Sequence, residues 1–209
     1  MDGVFMKKIG KLLVICVLLA ACLYMGTVLS DRRTLSEDVI RLHVVAASDS
    51  REDQSLKLKV RDAVTSFLQE KLQDLPSAEE AKKVIEGELG ELESLVNGLL
   101  SREGVSHQAK VTLQKEAFDT RFYETFTMPA GVYDALRITI GPGEGRNWWC
   151  VVFPSLCLPA AGEDFEDTAA GAGFQTSLTG ALEGEPQYEV RFLLLDLLGR
   201  IENFFHNLG

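Results

Sequence analysis

The sequence predicts an α+β fold in two layers: a helical hairpin packed on a mainly antiparallel sheet, with an N-terminal signal or membrane helix and a separate C-terminal helix attached. Two patterns carry that expectation. Apolar residues recur at helical spacing in two adjoining runs between residues 51 and 100, and from residue 109 onward the period shortens to two. A long uncharged run near the N-terminus is the third observation, and it sets the compartment.

Lys7, Lys8 and Lys11 precede the apolar run from Leu12 to Leu29, and the polar stretch Ser30–Asp31–Arg32–Arg33 follows it. A basic flank ahead of about 18 apolar residues, roughly 27 Å as a helix, is the pattern of an export signal or a single membrane anchor. Residues 1–29 are therefore expected to lie outside the fold. Leu19–Ala20–Ala21–Cys22 resembles a bacterial lipobox and makes Cys22 a candidate for lipidation. Cleavage near Gly26–Thr27 and retention of the whole segment stay open beside it.

The folded domain is expected over residues 38–158. Val39 to Ala46 alternates, with Ile40, Leu42 and Val44 on one face of a strand and Arg41, His43 and Val45 on the other. On that pattern His43 is expected on the sheet surface. Ser50 with Asp53 three residues on starts a helix, whose stripe includes Leu56, Val60, Val64, Leu68 and Leu72. Pro76 ends it. Ser77 with Glu80 caps a second helix, carrying Ala81, Ile85, Leu92, Val96 and Leu100.

Ala109, Val111 and Leu113 then form a half-buried strand, and Leu136, Ile138 and Ile140 another. Gly141 to Arg146 is turn material before Trp148–Phe153, which is apolar at every position. Those last two strands are expected to pair as a hairpin, the second covered on both faces. From 159 to 186 the composition shifts to small and acidic residues, which predicts a flexible acidic linker. Residues 187–208 regain apolar density and are expected to form the C-terminal helix, interrupted at Gly199.

The net charge of -10 argues against nucleic acid as a partner, because an acidic surface repels phosphate backbones. No catalytic constellation is visible. Cys150 and Cys157 are the only cysteines in the exported body. A disulfide between them and two buried thiols are both open, the exported compartment favouring the disulfide. Two thiols with no nearby histidine make no metal site, and nothing in the sequence calls for a cofactor. Gly141, Gly143 and Gly145 precede a strand rather than a helix, so a turn with positive φ explains them better than a phosphate-binding loop. Trp148 and Trp149 serve equally as recognition aromatics or as core.

Three strings resemble one known family. Arg41-LHVVAASDSREDQSLKLKVRDAV-64, Met128-PAGVYDALRITI-140 and Gly141-PGEGRNWWCVVFPSLC-157 are similar, in order, to the signatures of the stage II sporulation protein R family. The resemblance covers about residues 38–158 and departs from the pattern at Ser155, where the family has a second proline. It implies a signalling protein rather than an enzyme. Such proteins are made in the forespore and exported into the space between the two membranes. There they activate a membrane-embedded aspartic protease of the mother cell, the sigma-E processing peptidase. With the resemblance in hand, Arg41, His43, Ser48, Asp49, Ser50, Asp53, Asn147, Trp148 and Trp149 are candidates for contact with that protease. The competing class is an exported cysteine-dependent oxidoreductase or hydrolase using Cys150 or Cys157.

Overall fold

The computed structural model describes residues 2–123, 125–154, 169 and 174–208. Its elements run α1 (Asp2–Glu37), β1 (Ile40–Val45), α2 (Arg51–Leu72), α3 (Ala78–Arg102), β2 (Ala109–Phe118), β3 (Arg121–Phe122), β4 (Thr127–Met128), β5 (Gly131–Ile140), β6 (Asn147–Phe153), α4 (Thr176–Glu183) and α5 (Glu189–His206). The α+β class holds, as do the helical hairpin, the mainly antiparallel sheet, the N-terminal apolar helix and the C-terminal helix.

Both predicted helix starts are built as their sequences require. The Ser50 side chain accepts from the Asp53 amide, and the Ser77 side chain accepts from the Glu80 amide, so each satisfies an amide left free by the first turn. Behind those caps α2 buries Leu56, Val60, Val64, Leu68 and Leu72, and α3 buries Ala81, Ile85, Leu92, Val96 and Leu100. The two stripes close one core with Ile40, Leu42 and Val44 of β1 and Leu136, Ile138 and Ile140 of β5. Fully burying each such side chain contributes about 1.5–3 kcal/mol. The free edge of β2 is blunted from the same side. Asn97 exchanges hydrogen bonds with the backbone of Ala109, and Glu93 accepts from the Val111 amide.

The four-stranded sheet has the order β2-β5-β1-β6, and this corrects the expected β5–β6 hairpin. β1 lies between them, parallel to β5 and antiparallel to β6. The connection 141–146 must therefore cross one strand, about 10 Å at the usual strand spacing. It does so over the end of β1, with the Glu144 amide donating to the Ala47 carbonyl and the Gly145 amide to the Ala46 carbonyl. Gly141 and Gly143 take φ of 55° and 66°, the conformation the turn needs.

The second face of the sheet is also covered, which adds a layer to the two that were expected. Val28 and Leu35 of α1, Phe174, Leu178 and Leu182 around α4, and Leu195 of α5 pack there with Tyr133, Ala135, Phe118 and Val151. Three expectations are corrected by this layer. The end of the apolar segment belongs to the fold, since Val28, Asp31, Arg32 and Leu35 are buried. The acidic stretch contains α4, because Phe174, Leu178 and Leu182 recur every fourth residue and form an apolar stripe. Residues 159–168 and 170–173 of that stretch lie outside the described residues. Finally, α5 runs unbroken through Gly199, which is there for contact: an added Cβ would stand 1.6 Å from the Ala130 carbonyl oxygen.

That contact decides the sign of a substitution. Helix propensity alone makes Gly→Ala stabilising by up to about 1 kcal/mol. Gly199→Ala is expected to lower the melting temperature instead, because the helix must lift off Ala130. Gly90→Ala, on an exposed turn of α3 with nothing within 4 Å of the new Cβ, is expected to raise it. Thermal unfolding of the two variants beside the parent checks both signs.

Candidate functional site

At the end of the sheet where β1 stops and β6 begins, two loops are joined into one surface. The β1–α2 loop supplies Ser48, Asp49 and Ser50, and the β5–β6 loop supplies Glu144 to Asn147. The Asp49 carboxylate accepts from the Arg146 amide at 2.7 Å and lies 3.4 Å from the Arg146 guanidinium. Lys57 reaches across from α2 and donates to the Arg146 carbonyl at 2.9 Å and to Gln54 at 2.7 Å. Burial, and the Arg146 cation beside it, hold the Lys57 ammonium below its ordinary range. Gln54 in turn donates to the Ser48 carbonyl, and the Ser48 hydroxyl donates to Asp53. Gly145 has no alternative at its position, because a Cβ there would stand 2.2 Å from the Ser48 carbonyl oxygen.

Asp49, Ser50, Glu144, Arg146 and Asn147 are exposed, while their backbones are held by the bonds just given. An exposed, rigid, polar rim of this kind is suited to binding another protein with little ordering cost. Trp148 stands at its edge, half-buried, with the Arg61 guanidinium 4.3 Å above its ring.

The other contact candidates are elsewhere. Arg41 is fully buried on the second face, against the rings of Phe118 and Tyr133, and donates to the Tyr123 hydroxyl at 2.8 Å. His43 is 3% exposed rather than a surface residue, because Trp149, Phe118 and Glu116 close around its ring. It stacks on Trp149 with ring centroids 3.7 Å apart, and its Nδ1 lies 2.8 Å from Glu116. Trp149 packs edge-on to Phe118 and carries Arg121 over its ring. Ser48, Asp49, Ser50, Asp53, Asn147 and Trp148 are thus gathered at the loop junction, and Arg41, His43 and Trp149 are not.

Glu116 is the titrating centre of the second face. Burial alone would raise its carboxyl, but hydrogen bonds from His43 and Arg137 outweigh that and hold it at about 2. A carboxyl depressed in the folded state contributes stability that is present above its unfolded value near 4.5 and lost as pH falls toward about 2. Glu116→Gln is expected to remove that component. The urea midpoint of the parent should drop more between pH 5 and pH 3 than that of the variant; equal drops would count against this network.

Glu116, Arg137, Lys57 and Arg146 were not singled out from the sequence. Glu116 had a signal, since its alternation with Phe118 places it on the face opposite Val111. The tie of Lys57 to the β5–β6 loop had none, because Arg146 lies 89 positions away. Cys150 is buried and disulfide-bonded, so it offers no free thiol to a substrate. Cys157 lies outside the described residues. Cys16 and Cys22 are exposed on α1 and free.

Taken together, the molecule is an α+β domain carried on one N-terminal helix long and apolar enough to cross a membrane, with a rigid loop junction at the end of its sheet. The family model for stage II sporulation protein R matches residues 36–163, and the chain belongs to that family. Stage II sporulation protein R of Bacillus subtilis (strain 168) is 40% identical over 124 residues, 59% of this chain and 55% of the relative. The chain thus matches about half the length of that curated relative. No solved structure matches it. The loop junction lies wholly within the matched residues, whereas α4, α5 and most of α1 lie outside them.

Proposed function

We propose that this chain is an exported sporulation signal that activates a membrane-embedded aspartic protease, the sigma-E processing peptidase, and is not itself an enzyme. The observation that carries the reading is the convergence of two family strings. Residues 48–53 and 144–148, drawn from the two most specific segments, are about 95 positions apart in sequence and interlock into one exposed surface. Export from the forespore through α1 brings that surface into the intermembrane space, where the protease presents its outer segments. A disulfide at Cys150 fits the oxidising side of the membrane. A cysteine-dependent enzyme gains nothing from a Cys150 that is buried and already bonded.

The test is co-expression in non-sporulating cells with the protease and its pro-sigma substrate, following substrate size on a gel. Cleavage is expected only when this chain is present and exported. Unchanged substrate, with the protease shown to be competent, would overturn the reading.

A further inference from the structure

Among the described residues, one face of α5 has no partner. Val190, Leu193, Leu197, Ile201, Phe204 and Phe205 are 46% to 66% exposed and form a single stripe, opposite the buried Arg191, Leu195 and Gly199. From Val190 to Phe204 the stripe runs roughly 21 Å at helical rise. Soluble domains rarely expose an apolar strip of that extent without an occupant.

The neighbouring helix says what the occupant is. Arg191, at the start of α5, is ion-paired with Asp31 at 2.5 Å and donates to the Thr27 hydroxyl at 3.3 Å, and Glu202 pairs with Arg32. Thr27 and Asp31 bracket Leu29, the last residue of the apolar run of α1, whose side chains from Leu12 onward are exposed except for Val28. The start of α5 is therefore pinned at the level where α1 ceases to be membrane-like. We propose that the α5 stripe lies on the lipid bilayer, in its interfacial layer, beside the point where α1 emerges. This rests on reading α1 as the membrane-inserted helix.

The polar flank of α5 fits that placement. Asp196, Arg200 and Asn203 bind Thr120, the Ala130 amide and the Phe118 carbonyl, which orients them toward the sheet and leaves the stripe facing outward. With a net charge of -10 the chain gains nothing from anionic headgroups, so apolar burial supplies the attachment.

The full chain, reconstituted into vesicles of phosphatidylethanolamine and phosphatidylglycerol doped with a photoactivatable phospholipid, gives a direct test. Labelled residues are located by mass spectrometry. Labels are expected on the α1 run and on the α5 stripe, and the α5 labels should persist at high salt. Leu197→Asp combined with Phe204→Asp should lose the α5 labels and keep those on α1. Labels on α1 with none on α5 overturn the proposal, and α5-to-α5 cross-links in that case assign the stripe to a second copy of the chain. Labels on neither helix overturn the reading of α1 and the proposal with it.

Discussion

On the proposed function, Gly145→Val is expected to abolish activation of the protease while leaving the domain folded. Any Cβ at residue 145 would meet the Ser48 carbonyl oxygen at 2.2 Å and its carbon at 2.6 Å, and backbone atoms cannot yield by rotating as a side chain would. The β5–β6 loop must therefore rise away from β1, breaking the hydrogen bonds that the Glu144 and Gly145 amides donate to the Ala47 and Ala46 carbonyls and freeing Arg146 from Asp49. Two backbone hydrogen bonds cost about 1–3 kcal/mol in all, a fraction of a domain's stability. The main core, formed by α2, α3 and the sheet, includes Ala47 but no residue from 141 to 146. Processing of the pro-sigma substrate should fall to background with the folded yield retained. Asp49→Asn, which weakens the same junction without any steric change, is expected to reduce processing partially. Wild-type processing by Gly145→Val would separate the loop junction from the function.

The largest loss of stability is expected at Arg191→Met. Arg191 and Asp31 are an ion pair with side chains 7% and 5% exposed, so removing the cation leaves a buried carboxylate without compensation. Such a break costs about 3–5 kcal/mol, whereas replacing both partners with apolar residues of similar size is close to neutral. In a domain of this size that is a drop of roughly 6–20 °C in melting temperature. Adding Asp31→Leu to Arg191→Met should recover most of it. If the single variant melts like the parent, then α1 and α5 do not pack as described and residues 27–35 are outside the fold after all.

How much of this was legible depended on whether the signal was local. The helices α2 and α3 were, because a serine cap, an acidic residue three positions later and a 3.6-residue stripe are all contained within one segment. The strands β1, β2 and β5 were too, through alternation, and β6 through its unbroken apolar run. Strand order was not. A six-residue connection from Ile140 to Asn147 serves a hairpin or a step across one strand equally well, and only contacts between distant segments, such as the Gly145 amide with the Ala46 carbonyl, distinguish them. The second layer was hidden for a related reason. Asp31 and Arg32 have the appearance of a polar flank to a membrane run, and their partners Arg191 and Glu202 lie 160 and 170 positions away. Around α4 the spacing of Phe174, Leu178 and Leu182 was present but was outweighed by the surrounding glycine, alanine and acidic residues.

The candidate site divided along the same line. Ser48 to Asp53 and Asn147–Trp148 were singled out because the strings that carry them are specific, and the structure brings these residues to one surface. Arg41 and His43 came from the same first string but sit on a strand buried on both faces. Alternation assigns a residue to a face of a sheet; it does not say whether that face is covered.

Contact between the loop junction and the protease is tested directly by site-specific photo-cross-linking in co-expressing cells. A photoreactive residue placed at Asn147, on the exposed rim, is expected to cross-link to the protease, and the same residue at Glu86, on the exposed side of α3, is not. Cross-links from Glu86 with none from Asn147 would contradict the account and move the contact surface to the helical face of the domain.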